Sequence, residues 1–208
     1  MKYELQNIIS GEGEVIYGNA VQAVANYLKR STRASKLVKE SEFFRKQETE
    51  ILTSYITDNN LWIREINIEN YISEGAEQRV YLNDGKNVLK LNDAIFYASW
   101  TDYFHNLLLN NYFFPDTAYE LLGFYQEENT IYAVVRQAFI RATEKTNLAF
   151  VKEFMAANGF VNTRNNDYYN PDLGIILEDL HDENVLTENG ILQFIDTVFY
   201  LTDTFYNK

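Results

Sequence analysis

Apolar positions along the chain change period several times, and each change marks an element. From Asn19 the spacing is helical: Val21, Val24, Ala25 and Leu28 recur every three or four residues, with Asn19 placed to cap the start. A second helix is predicted over about 41–56, with Phe44, Ile51, Leu52 and Tyr55 on one face and Asp58-Asn59-Asn60 ending it. Residues 1–18, around Gly11 and Gly13, read as short extended pieces, so 1–66 is expected to form a helical N-terminal extension. Over 67–91 the pattern becomes strand, turn, strand, with Asn83-Asp84-Gly85 as a hairpin signal. A helix is predicted over 93–112 and two strands over 118–137. A helix follows at about 144–157, then a polar loop at 162–172 and short apolar runs broken by acidic turns. This order predicts an α+β fold, with a strand-rich unit at 67–137 and a final unit at 138–208.

Composition narrows the function. The net charge of −12 disfavours general nucleic-acid binding. The charge is uneven: Lys29, Arg30, Arg33, Lys36, Lys39, Arg45 and Lys46 outweigh Glu40 and Glu42, leaving 29–46 at +5. That segment is either a solvated helical face or a docking surface for an acidic protein partner. The absence of Cys excludes disulfides, thiolate metal sites and a Cys nucleophile. The first ten residues have no signal-peptide apolar core, and no apolar run approaches the ~20 residues of a membrane span, so a cytoplasmic location is expected.

Four pieces carry candidate chemistry. Gly75 lies between strand patterns in Glu74-Gly75-Ala76-Glu77-Gln78, where backbone amides can approach phosphate oxygens. Lys90 lies inside the apolar strand Val88-Leu89-Lys90-Leu91, where an ammonium needs a partner. Asp179-Leu180-His181-Asp182-Glu183-Asn184 is an acidic loop between apolar runs, able to present Asp179 as a proton acceptor and Asn184 as a hard oxygen ligand. Asp196 follows beyond the turn 187–190, and a hairpin of that length returns it beside Asn184, giving two oxygens for Mg²⁺.

In this order the pieces resemble the eukaryotic-type protein-kinase and aminoglycoside-phosphotransferase superfamily. More narrowly, Ile72–Gln78, Phe114–Tyr119, Leu122-Gly123-Phe124 and the Asp179 loop are similar to the polyvalent-protein kinase family of bacterial mobile elements. The resemblance implies a minimal two-lobed kinase-like fold, with an antiparallel-sheet N-lobe and a truncated C-lobe, using ATP and Mg²⁺. It implies that Gly75, Ala76, Glu77 and Gln78 cover the phosphates and that Lys90 contacts them. Asp179 would orient or deprotonate an acceptor hydroxyl, and Asn184 and Asp196 would hold Mg²⁺. Val135 to Gln137 would be the linker between lobes whose backbone reads adenine.

The chain departs from the pattern in places. Kinases pair the strand Lys with a helix Glu; 93–112 contains none, and Asp102 is the substitute unless it is a solvated helix residue. Leu177 and Glu178 precede Asp179, where kinases carry a His. Only 12 residues follow Asp196, too few for an activation segment. Three functions follow as expectations: phosphoryl transfer to a protein hydroxyl, a pseudokinase or interaction module, and a small-molecule kinase of the aminoglycoside type.

Overall fold

The computed structural model describes residues 1–34, 41–75 and 77–207. Helices α1 (Lys2–Ser10), α2 (Asn19–Ala34) and α3 (Ser41–Asp58) come first. Strands β1 (Tyr71–Glu74), β2 (Gln78–Leu82) and β3 (Asn87–Asn92) follow, then α4 (Trp100–Phe113), β4 (Glu120–Glu127) and β5 (Thr130–Ala138). Next come α5 (Leu148–Ala157), β6 (Val161–Arg164), β7 (Asp167–Asn170), β8 (Ile175–Glu178), β9 (Val185–Glu188), β10 (Ile191–Phe194), β11 (Val198–Leu201) and α6 (Asp203–Tyr206). The strands form a five-stranded sheet ordered β1-β2-β3-β5-β4, a four-stranded sheet ordered β11-β8-β7-β6, and the β9–β10 hairpin. All pairings between these strands are antiparallel. The α+β expectation therefore holds.

Three local expectations need correction. Residues 2–10 are helical rather than extended: Leu5, Ile8 and Ile9 fall on one face and are buried, and Gly11 ends the helix at φ +79°. The helix predicted over 93–112 starts only at Trp100, because Asn92 and Asp93 turn the chain first: their side chains accept from Ala94 N (2.6 Å) and Ile95 N (3.0 Å). The polar stretch 162–172 contains the β6–β7 hairpin, which turns at Asn165 with φ +49°.

One large core joins the N-terminal helices to the rest. It runs from Leu5, Val24 and Leu52 through Phe104 and Phe124 to Met155, Leu177 and Phe205. On the other face of the first sheet, Ile66 packs with Tyr81, Leu91 and Val134. The chain reaches that face along the β4 edge, where Ile63 N donates to Phe124 O (2.7 Å) and Phe124 N donates to Leu61 O (2.9 Å). Gly123 permits this approach: a Cβ there would lie 2.4 Å from Leu61 O.

Candidate active site

Alternation along β3 puts Val88, Lys90 and Asn92 on one face and Leu89 and Leu91 on the other. Leu91 enters the outer cluster, so Lys90 points into the protein, where it is 4% exposed. Its Nζ donates to Ile195 O (2.7 Å) and lies 5.5 Å from the centre of the Tyr119 ring. The Tyr119 hydroxyl donates to the same carbonyl at 2.8 Å. Burial pulls the Lys90 pKa down, and the negative charge of Asp196 opposes the fall.

Asp102 is not brought to Lys90. It is exposed in the first turn of α4, where its N–H donates to Ser99 Oγ (3.0 Å) and its carboxylate accepts from that hydroxyl (2.7 Å). It belongs to a helix cap, a local arrangement that needs no contact with the sheet. Among the described residues no ion pair includes Lys90.

Two ladders bring the acidic loop to Lys90. Val198 stands opposite Glu178, so Asp179 and Asp196 leave β8 and β11 at the same end. Val185 stands opposite Phe194, and Ile195 N donates to Asn184 O (2.9 Å), so Asn184 and Asp196 leave the β9–β10 hairpin together. Within the loop, Asn184 Nδ2 donates to Asp179 Oδ2 (2.8 Å) and to Asp179 O (2.9 Å). His181 Nδ1 accepts from Glu183 N (3.2 Å). His181 Nε2 lies 3.2 Å from Asp179 Oδ1 and 3.2 Å from Asn184 Nδ2. Both carboxylate oxygens of Asp179 are held from within the loop, and the residue adopts φ +69°.

The Gly75 turn closes over this site. Gly75 N donates to Gln78 O (3.0 Å), and Gln78 Nε2 donates to Asp196 Oδ2 across the cleft. A Cβ on Gly75 would meet nothing within 4 Å, so the surrounding fold does not require a glycine there. Glu77 is half-buried, with Tyr97 Oη 3.5 Å from its Oε2. Its pKa is raised by burial first, then by the charges of Asp196 and Asp179. Ala76 lies outside the described residues.

A family model described as a serine/threonine/tyrosine kinase found in polyvalent proteins matches residues 45–203. The chain belongs to that family. Its fold is kinase-like, and the match takes in every strand and all of α4 and α5. No curated protein and no solved structure matches the chain.

Within this kinase-like frame, Val135 and Gln137 are not a linker. Both lie inside β5, opposite Lys90 and Val88, and β4 pairs with the other side of Val135. The chain leaves the first sheet at 139–147, which connects β5 to α5. The Val135 backbone is occupied by neighbouring strands, which leaves side chains to do any reading there.

Other residues at the site escaped the sequence reading. Asn106 Oδ1 accepts from Phe199 N (2.8 Å) and Asn110 Oδ1 from Thr197 Oγ1 (2.9 Å), so α4 holds the strand after Asp196 with amides instead of offering Lys90 a carboxylate. Asparagines four apart, flanking Leu107-Leu108-Leu109, were the available signal. A cleft of about 530 Å³ opens at the end of β5 between 16–20 and 115–121; Tyr119 and Gln137 line it, but Gly75, Lys90, Asp179, Asn184 and Asp196 do not.

Proposed function

We propose that this kinase-like protein binds ATP with Mg²⁺ and transfers the γ-phosphoryl group to a hydroxyl on a protein, a partner or itself. The observation that carries the reading is the convergence on Ile195. Its carbonyl takes Lys90, its amide is bound to Asn184 O, and the next residue, Asp196, is bound to the Gly75 turn through Gln78. A cation, two oxygen ligands and a loop open to phosphate are thereby fixed to one stretch of backbone.

The residues present fit Mg²⁺. Asn184 Oδ1 and Asp196 Oδ1 have no hydrogen-bond partner among the described residues. They are hard oxygens, as that ion prefers. Among the described residues no three acidic or His side chains form a cage by themselves. This suits an ion that binds through one or two protein oxygens plus substrate phosphates. Such an ion would neutralise charge on the transferred group.

The chain's own groups do the rest. Lys90 exchanges a backbone carbonyl for phosphate oxygens, a stronger partner for a buried ammonium. The Gly75 turn excludes water above the phosphates. Asp179, held by Asn184 and His181, accepts the proton of the attacking hydroxyl as its oxygen bonds to the γ-phosphorus and the bond to the ADP oxygen breaks.

The test is thermal unfolding with and without ATP and Mg²⁺, followed by phosphate transfer from labelled ATP. Ligand at 100 times its dissociation constant should stabilise the native chain by ~2.7 kcal/mol. Lys90→Ala and Asp196→Ala should lose that shift. Absence of any shift at millimolar ATP rejects the reading.

A second reading, an interaction module without phosphotransfer, is favoured by the missing carboxylate at Lys90. It predicts binding without transfer. For the basic segment 29–46 as a docking face, residues 35–40 lie outside the described residues. Arg45 donates to Asp93 O, Ile95 O and Tyr97 O, so this cation is engaged within the fold.

A further inference from the structure

Gln137 is 2% exposed and stands opposite Val88, two cross-strand pairs beyond the Val135–Lys90 pair. Residues directly opposite project to the same face, so Gln137 shares the face of Lys90, about 7 Å further along the strand.

The two polar atoms of its side chain are treated differently. Nε2 donates to Thr117 O at 2.7 Å. A carbonyl only accepts, so the amide orientation is fixed and Oε1 lies on the other side. Oε1 is buried and has no hydrogen-bond partner among the described residues. The Tyr119 hydroxyl donates to Ile195 O. Burial raises its pKa, and its contact with the Gln137 side chain lowers it, as a hydrogen bond donated by the amide nitrogen does, so it does not supply Oε1 with a donor.

A buried acceptor without a donor is rare in native proteins, because its lost hydration is not replaced. Gln137 and Tyr119 also border the cleft of about 530 Å³, within the usual size range of ligand pockets.

Resting on the nucleotide-binding reading, we infer that Gln137 Oε1 selects the base, accepting a hydrogen bond from the exocyclic amine of adenine. Hypoxanthine and guanine carry a carbonyl at that position and would set one lone pair against another. The Gln137 side chain would supply this contact from the same face of the sheet as Lys90.

Calorimetric titration of the full chain with Mg²⁺ and three nucleotides tests this: ATP, GTP, and purine riboside triphosphate, which is ATP without the amine. The wild type should bind ATP on the order of ten-fold more tightly than either of the others. Gln137→Met, which keeps length and removes both polar atoms, should bind ATP and purine riboside triphosphate within about two-fold of each other. Gln137→Leu replaces it if the methionine variant does not fold.

Equal affinities in the wild type overturn the inference and leave nucleotide binding intact. A preference for ATP that persists in the variant also overturns it. Failure of all three nucleotides to bind overturns the nucleotide reading, and the inference with it.

Discussion

His105 couples one buried side chain to the acid stability of the whole chain. It lies on α4, 7% exposed, and its Nε2 has no hydrogen-bond partner among the described residues. Burial, and then the positive charge of Lys29, push its pKa down from 6.5 to about 4. In the unfolded chain the imidazole regains its ordinary value near 6.5. Between pH 6.5 and 4 the unfolded state therefore binds more protons, and stability falls as pH is lowered through that window. One such group costs on the order of 3 kcal/mol once the pH is below both values. His105→Leu should remove this part of the loss, seen as a smaller drop in urea midpoint between pH 7 and pH 4 than in the wild type. Equal drops in the two proteins would show that carboxylates carry the acid response. Lys90 acts in the same direction in a higher window: its depressed folded pKa makes stability rise with pH up to the unfolded lysine value.

Helix α3 grips α4 at its start. Glu48 is fully buried and accepts from Trp100 N (2.6 Å), Thr101 N (3.1 Å) and Thr101 Oγ1 (2.5 Å). It meets otherwise orphaned amides at a helix N-terminus, where a negative charge is favoured. Burial nevertheless raises its pKa, against the pull of these hydrogen bonds. One turn earlier, Arg45 takes three carbonyls of the loop that leads into α4. Glu48→Ala leaves several buried donors unpaired and should cost about 2–4 kcal/mol, measured by urea unfolding. A loss below ~0.5 kcal/mol would mean that water replaces the carboxylate. The sequence offered no sign of this clamp, because its members are about 50 residues apart and Glu48 looks like any polar residue of an amphipathic helix. The convergence of Lys90, Asp179, Asn184 and Asp196 was legible for the opposite reason: each lies within or beside a short apolar strand, and hairpin length fixes where the chain returns. Asp102 stayed open between a partner for Lys90 and a solvated helix residue because composition does not say whether a carboxylate turns to its own cap or across to a strand. Ser99, three residues before it, was the local sign of a cap. The α1 helix was missed because nine residues with three buried positions give a weak period.

At the scale of the molecule, the N-terminal helices share their core with the sheets. Leu28 on α2 is fully buried, and it belongs to the same cluster as Phe104 and Trp100 on α4, Phe124 on β4 and Leu177 on β8. The ends are tied as well: Lys2 Nζ donates to Thr204 O (2.7 Å), and Gln6 Nε2 donates to Phe205 O. A core without an internal boundary should melt as one unit, even though the family match begins within α3 at residue 45. Leu28→Ala should cost about 2–5 kcal/mol, as truncation of a fully buried leucine does. The test of coupling is where that loss appears. Both tryptophans, Trp62 and Trp100, lie outside α2, so their fluorescence reports on the sheet edge and α4. If the fluorescence midpoint shifts together with the helical circular dichroism signal, α1 and α2 are part of the kinase-like unit and their packing sets the position of α4. If only the dichroism shifts, the N-terminal helices unfold on their own, and the site should then bind nucleotide equally well without them.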